Sequence, residues 1–165
     1  MDCTAAHAGT DAWQCFTAPT VARFVRSPLF VLQSQFDHFQ LSAMGKIPCA
    51  LAQAYFPPWS NSTAAICSAA DLANISAYGA GWMRDFAGML ALPNLGAFIT
   101  ACVAHEERGT AGWTGLQAGG VALRDAFQAW HNALQPGAAP LPSSHWIDSC
   151  ELPCNTDAKV CAPIK

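Results

Sequence analysis

The sequence predicts an α/β fold whose sheet is parallel, and three observations carry that prediction. One apolar run, Ser27-Pro-Leu-Phe-Val-Leu-Gln-Ser-Gln-Phe-Asp37, ends in a carboxylate. A second, Gly96-Ala-Phe-Ile-Thr-Ala-Cys102-Val-Ala-His105, ends in an imidazole. Between and after them lie stretches with apolar residues at helical spacing. Strands buried on both faces read as near-continuous apolar runs, and functional side chains of such sheets stand just beyond the strands' C-terminal ends.

The elements come in order along the chain. Residues 3–20 form a loop-rich lead-in, and Pro28 opens the first strand, predicted at 29–33. Residues 45–62 are irregular and rich in Pro, Asn and Ser. Ser68 is suited to cap a helix on which Leu72, Ile75, Trp82, Phe86 and Met89 recur at helical spacing. Gly79 and Gly81 weaken the middle of that helix by about 1 kcal/mol each relative to Ala. Asn94 and Gly96 stop the chain before the second strand, predicted at 97–102. A second helix places Leu123, Phe127, Trp130 and Leu134 on one face and ends before Pro136-Gly137. The tail beyond it is expected to keep its shape through Cys150, Cys154 and Cys161. The pattern strand, helix, strand, helix, tail suits the last units of a parallel sheet. Because two strands make a poor sheet, it also implies neighbours that these segments do not supply.

Composition narrows the function classes. Of the 165 residues 52% are hydrophobic and only 12% charged, well short of the charge content of an ordinary soluble domain and against disorder. Eight scattered Lys and Arg and a net charge of −3 give nucleic acid no basic patch to bind. Residues 86–104 carry no charge, but Pro93, Asn94 and Gly96 divide them, so no membrane span is expected there. Eight cysteines, all but Cys102 in or beside turn-rich segments, read as a disulfide framework formed in an oxidising compartment. The start, Met1-Asp-Cys-Thr-Ala-Ala-His, has neither a basic nor an apolar stretch and is no signal peptide. A disulfide-rich chain without an export signal is expected to be preceded by further sequence.

Asp37 stands where a carboxylate can orient an imidazolium, and an Asp that merely caps a turn is the alternative. His105 stands where a general base is wanted, and a surface or satisfied core histidine is the alternative; Glu106 and Glu107 favour its protonated form in either case. The order Asp then His is the second half of the Ser…Asp…His order of α/β-hydrolases. The predicted fold class is therefore α/β, the C-terminal part of an α/β-hydrolase-like parallel sheet with flanking helices and a cysteine-rich tail. The nucleophile is missing: no Gly-x-Ser-x-Gly elbow occurs, and neither Ser34 nor Ser42 lies in one. Cys150, Cys154 and Cys161 with His145 could be read as a zinc site, but the spacing is loose and lacks a second close pair. Trp113, Trp130 and Trp146 could line a groove, although aromatics in helices and loops usually pack in the core.

Five segments in order resemble the C-terminal part of the pectin acetylesterase/Notum family of carboxylesterases. Asp11-Ala-Trp-Gln-Cys15-Phe16 is similar to a Trp-x-Cys-Phe segment of the family, the run ending in Asp37 and Gln40 to its acid-bearing segment, and Cys102-Val-Ala-His105 to its Cys-x-x-His motif. Trp113 with the helix through Trp130 resembles the family's segment after that motif, and Ile147-Asp148-Ser149-Cys150 continuing to Cys154-Asn155 resembles its terminal cysteine cluster. The resemblance implies residues 1–165 as the C-terminal portion of one such hydrolase domain, with the half that holds the nucleophile absent. It implies ester hydrolysis by a Ser-His-Asp triad of which this chain supplies Asp37 and His105, with no metal or organic cofactor. His38 and His131 match no motif position. The implied substrate is an acetylated cell-wall polysaccharide or related ester, and the implied location is secreted, extracellular or cell wall. Specificity has two signs: Cys49 and Cys67 are placed as in the plant-type enzymes, whereas His105-Glu106 looks more like Notum, a protein O-acyl deacylase. A non-catalytic secreted binding protein on the same scaffold is the reading from another class. Cys3 is expected to pair with Cys15, and Cys49 with Cys67 by resemblance to the plant-type enzymes.

Overall fold

The computed structural model describes residues 2–47, 49, 67–93, 95–103, 105, 110–139 and 144–149. Short helical turns come first, α1 (Cys3–Ala6), a 3-10 helix (Gly9–Phe16) and α2 (Ala18–Val21), and lead into strand β1 (Leu29–Ser34). Then come helix α3 (Ala69–Leu90), strand β2 (Leu95–Thr100), helix α4 (Thr110–Gly115), a hairpin of β3 (Gln117–Ala118) and β4 (Val121–Ala122), helix α5 (Leu123–Ala133) and strand β5 (His145–Ile147).

The sheet is parallel, with strand order β1-β2-β5. Leu29 lies opposite Leu95 and Ser34 opposite Thr100, so β1 and β2 start and end level. On the other edge of β2, Ala97, Phe98 and Ile99 pair with His145, Trp146 and Ile147. β2 is thus the central strand. All six of its residues are buried, which is why its sequence is apolar without alternation. β5 is an addition to the predicted elements: three residues among prolines and serines offer too short a run to read as a strand. It supplies one neighbour that the strand count required. Two further differences have simple causes. The hairpin turns on Gly119 and Gly120, whose φ values of 56° and 77° suit the tight primed turn of a two-residue hairpin. The lead-in is made of short helical turns, the first of which is capped by Asp2, its Oδ1 accepting from Ala5 N at 2.8 Å.

Helices cover both faces. The C-terminal half of α3 lays Phe86 and Met89 on Leu95, Ala97 and Ile99. Opposite, Leu123 and Ala126 of α5 pack with Phe98, while Phe30 meets the Trp130 indole at 5.2 Å. Trp130 is buried and Trp146 packs against the same cluster, so both aromatics are core, while Trp113 lies against Phe127 and is partly exposed. Gly96 permits the close approach of α5, since a Cβ there would stand 2.5 Å from Phe30 Cδ2 and 2.8 Å from Trp130 Cδ1. Burial of a side chain the size of Phe98 or Ile99 contributes about 1.5–3 kcal/mol. The N-terminal half of α3 serves a second core. Ile75, Leu72 and Tyr78 pack with Phe36, Leu41, Ala101 and Val103, beyond the ends of the strands.

A capping box starts α3 where Ser68 predicted it: Asp71 N donates to Ser68 Oγ at 3.1 Å, and Ser68 N donates to Asp71 Oδ2 at 3.0 Å. Cys3–Cys15 and Cys49–Cys67 are the expected disulfides. Cys102 differs from its reading as the one cysteine within a strand. β2 ends at Thr100, and Cys102 lies beyond it and is disulfide-bonded as well. Cys150, Cys154 and Cys161 lie outside the described residues, and the zinc reading with them. Among the described residues no helix is long and apolar enough to cross a membrane.

The two central glycines of α3 are not equivalent. A Cβ on Gly79 would overlap the Phe36 ring, whereas one on Gly81 would meet only an Arg84 terminal nitrogen at 3.6 Å. Gly79→Ala should therefore lower stability by about 1–3 kcal/mol through overpacking, outweighing its gain in helix propensity. Gly81→Ala should raise stability by about 0.5–1 kcal/mol. Urea midpoints of the two variants are expected to move in opposite directions, and a joint rise would refute the close contact at Phe36.

Candidate active site

Two strands that end level deliver the residues after them to one place. Asp37 comes three residues after β1, and His105 five residues after β2. His105 Nδ1 lies 2.9 Å from Asp37 Oδ2 and 3.0 Å from Oδ1, across 68 residues of sequence. A carboxylate only accepts, so Nδ1 carries the proton and the Nε2 lone pair faces away from Asp37. The Asp37 side chain is 5% exposed and that of His105 43%. The acid is therefore enclosed while the imidazole reaches solvent.

Asp37 also caps the turn after it. Its Oδ1 accepts from Gln40 N at 3.1 Å, its backbone carbonyl accepts from Leu41 N at 2.9 Å, and Gln33 Nε2 donates to Oδ2 at 3.2 Å. The same carboxylate thus accepts from the turn and contacts the imidazole. The chain then runs through a π-helical turn (Gln40–Met44), an irregularity frequent near functional sites. Tyr78 of α3 donates its hydroxyl to Gln40 Oε1 at 2.5 Å, tying the helix to that turn. Burial, and then the negative charge of Asp37, push the Tyr78 hydroxyl above its ordinary range.

The approach of both strands to the site is stitched by side chains. Ser34 Oγ donates to the Cys102 carbonyl and accepts from Phe36 N at 2.9 Å. Asp148, just after β5, accepts from Ala101 N at 3.0 Å with Oδ2 and from Gly119 N at 3.0 Å with Oδ1. Gln35 Nε2 donates to the Asp148 carbonyl at 2.6 Å. Ser34 is thus a buried structural hydroxyl, and Ser42 Oγ is turned back to the His38 carbonyl at 2.6 Å. Neither lies in an elbow, as the sequence implied.

The imidazole has two ring neighbours that the sequence patterns do not single out. Phe39 lies 5.1 Å from it at 32°, and His38 lies 5.7 Å from it at 80°. The signal available is their place immediately after the acid. Burial, which outweighs the pull of Asp37 and is aided by repulsion from His105, holds the His38 imidazole below its usual range. Glu106 and Glu107 lie outside the described residues. Among the described residues no cluster of three His, Cys, Asp or Glu side chains could hold a metal ion.

The family model for pectinacetylesterase matches residues 1–159, nearly the whole sequence. The chain belongs to the pectinacetylesterase family. This agrees with the resemblance read from the five sequence segments. Its relatives include palmitoleoyl-protein carboxylesterase notum2 of Xenopus laevis, 27% identical over 152 residues, which make up 88% of this chain and 27% of that protein. Pectin acetylesterase 7 of Arabidopsis thaliana is 31% identical over 104 residues, covering 61% of this chain and 26% of its own length. Palmitoleoyl-protein carboxylesterase notum1 of Xenopus laevis is 26% identical over 156 residues, with 88% and 27% covered. This pectinacetylesterase-family chain therefore spans about a quarter of the length of the curated relatives it matches.

The double duty of Asp37 can be separated by substitution. Asn accepts a turn's N–H as well as Asp does, whereas Ala loses the cap. Asp37→Ala should cost about 1 kcal/mol or more, and Asp37→Asn distinctly less, in thermal unfolding at matched pH. Equal losses for the two variants would show that the cap contributes nothing.

Proposed function

We propose that this chain forms the acid–base part of a carboxylic ester hydrolase that works by a Ser-His-Asp triad, with His105 as general base and Asp37 as its orienting acid. The observation that carries the reading is the contact of Asp37 with His105 Nδ1, which leaves Nε2 turned away from the acid on a solvent-reaching ring. On this reading Nε2 takes the serine proton as Oγ attacks the ester carbonyl and returns it to the departing alcohol. A water then hydrolyses the acyl-enzyme by the same route, with Asp37 stabilising each imidazolium. On this reading the serine comes from outside residues 1–165, whose sequence contains no Gly-x-Ser-x-Gly elbow.

The substrate assigned to this reading is an acetyl ester on a polysaccharide, in an extracellular or cell-wall setting. The Cys49–Cys67 disulfide supports it, being the pair expected from the plant-type enzymes, and the disulfides favour an oxidising compartment. A second reading, deacylation of a protein, is favoured by the wider coverage of this chain by the palmitoleoyl-protein carboxylesterases, 88% against 61% for the pectin acetylesterase.

Two variants of the full-length protein test the triad. Asp37→Asn should lower ester hydrolysis about ten-thousand-fold, and His105→Ala by several orders of magnitude, each with an unchanged far-UV spectrum. Near-full activity in folded His105→Ala would overturn the assignment. Release of acetate from acetylated pectin, set against release of a long acyl chain from an acylated peptide, separates the two substrates. Residues 1–165 alone should give no turnover with an aryl acetate and no labelling by a fluorophosphonate; stoichiometric labelling would show a nucleophile within the chain.

A further inference from the structure

We propose that Phe39 is a positioning residue for His105, a shelf that fixes the plane of the imidazole and stabilises its protonated form through the face of the benzyl ring. The proposal rests on the reading of His105 as the base. Three successive residues after β1 surround the imidazole. Asp37 takes Nδ1, Phe39 lies beside the ring at 5.1 Å and 32°, and His38 meets it at 80° from 5.7 Å. Asp37 holds only the Nδ1 edge of the ring, both of its oxygens lying within reach of Nδ1, and the faces of the ring are left to packing. Phe39 supplies that packing on one side.

Its chemistry suits the task. A cation within about 6 Å of an aromatic face is attracted to the ring's negative quadrupole, while a neutral imidazole gains only dispersion. The stabilisation therefore acts on the imidazolium, the form that a general base adopts in the transition state. The titratable groups facing His105 among the described residues are Asp37 and His38, with the Tyr78 hydroxyl held behind Gln40.

The test uses the full-length protein as Phe39→Leu and Phe39→Trp variants, with histidine labelled at Cε1 for NMR. Phe39→Leu keeps an apolar side chain but removes the π face. It should move the His105 titration midpoint down by about half a unit, shift the acid limb of the kcat/KM profile with it, and lower kcat several-fold with little change in KM. Phe39→Trp should restore both the midpoint and the rate. An unmoved midpoint in Phe39→Leu, or a Phe39→Trp variant as impaired as Phe39→Leu, would overturn the role. The titration needs no turnover. A protein that hydrolysed no ester would therefore sink the esterase reading while the midpoint still decided the role of Phe39.

Discussion

The level pairing of β1 with β2 is the constraint on which the site depends. Parallel strands leave the sheet on the same side, and registration of Ser34 against Thr100 makes them leave at the same height. Three residues of chain on one side and five on the other then suffice to bring a carboxylate and an imidazole together. A slip of one residue would move every side chain of a strand to the opposite face, so the buried faces of β2 guard the register. Leu95, Ala97 and Ile99 meet α3, while Phe98 meets α5. Core packing and the contact of Asp37 with His105 are in this way the same fact.

Beyond the last ladder bond the chain is held by side chains. Ser34 ties β1 to Cys102, Gln35 ties it to Asp148, and Asp148 reaches across to Ala101 and the hairpin. Buried polar groups in such a network are stabilising only when all are partnered, so these residues act as a set. Helix α3 divides its work along its length. Its C-terminal half closes the sheet face, and its N-terminal half, through Gly79 on Phe36, backs the segment that carries the acid.

Asp37 and His105 stand out in the sequence because each closely follows an apolar run, the first after the short polar interval Gln33-Ser34-Gln35. The caps and faces of α3 and α5 are legible for a related reason: Ser68 with Asp71, and the spacing of Leu123 and Trp130, are local signals. The features that escape a sequence reading depend on partners far along the chain. β5 is three residues long and is a strand only because β2 offers it an edge. Gly79 reads as a weak point in a helix until Phe36 is placed against it. Asp148 is visible as part of a motif but not as a clamp, since its oxygens face Ala101 and Gly119 only after the sheet has formed. Phe39 and His38 stay hidden because a ring contact with His105 leaves no mark in the spacing of either segment.

The cap formed by Asp37 bears on how the site is made ready. A carboxylate left in solvent would keep its rotamer freedom until its imidazole arrived. Here that freedom is already gone, removed by Gln40 N and Gln33 in the ordinary course of closing a turn. The imidazole meets an acceptor whose orientation is set by folding. Preorganisation at this position is thus a by-product of local backbone chemistry, available as soon as the turn exists.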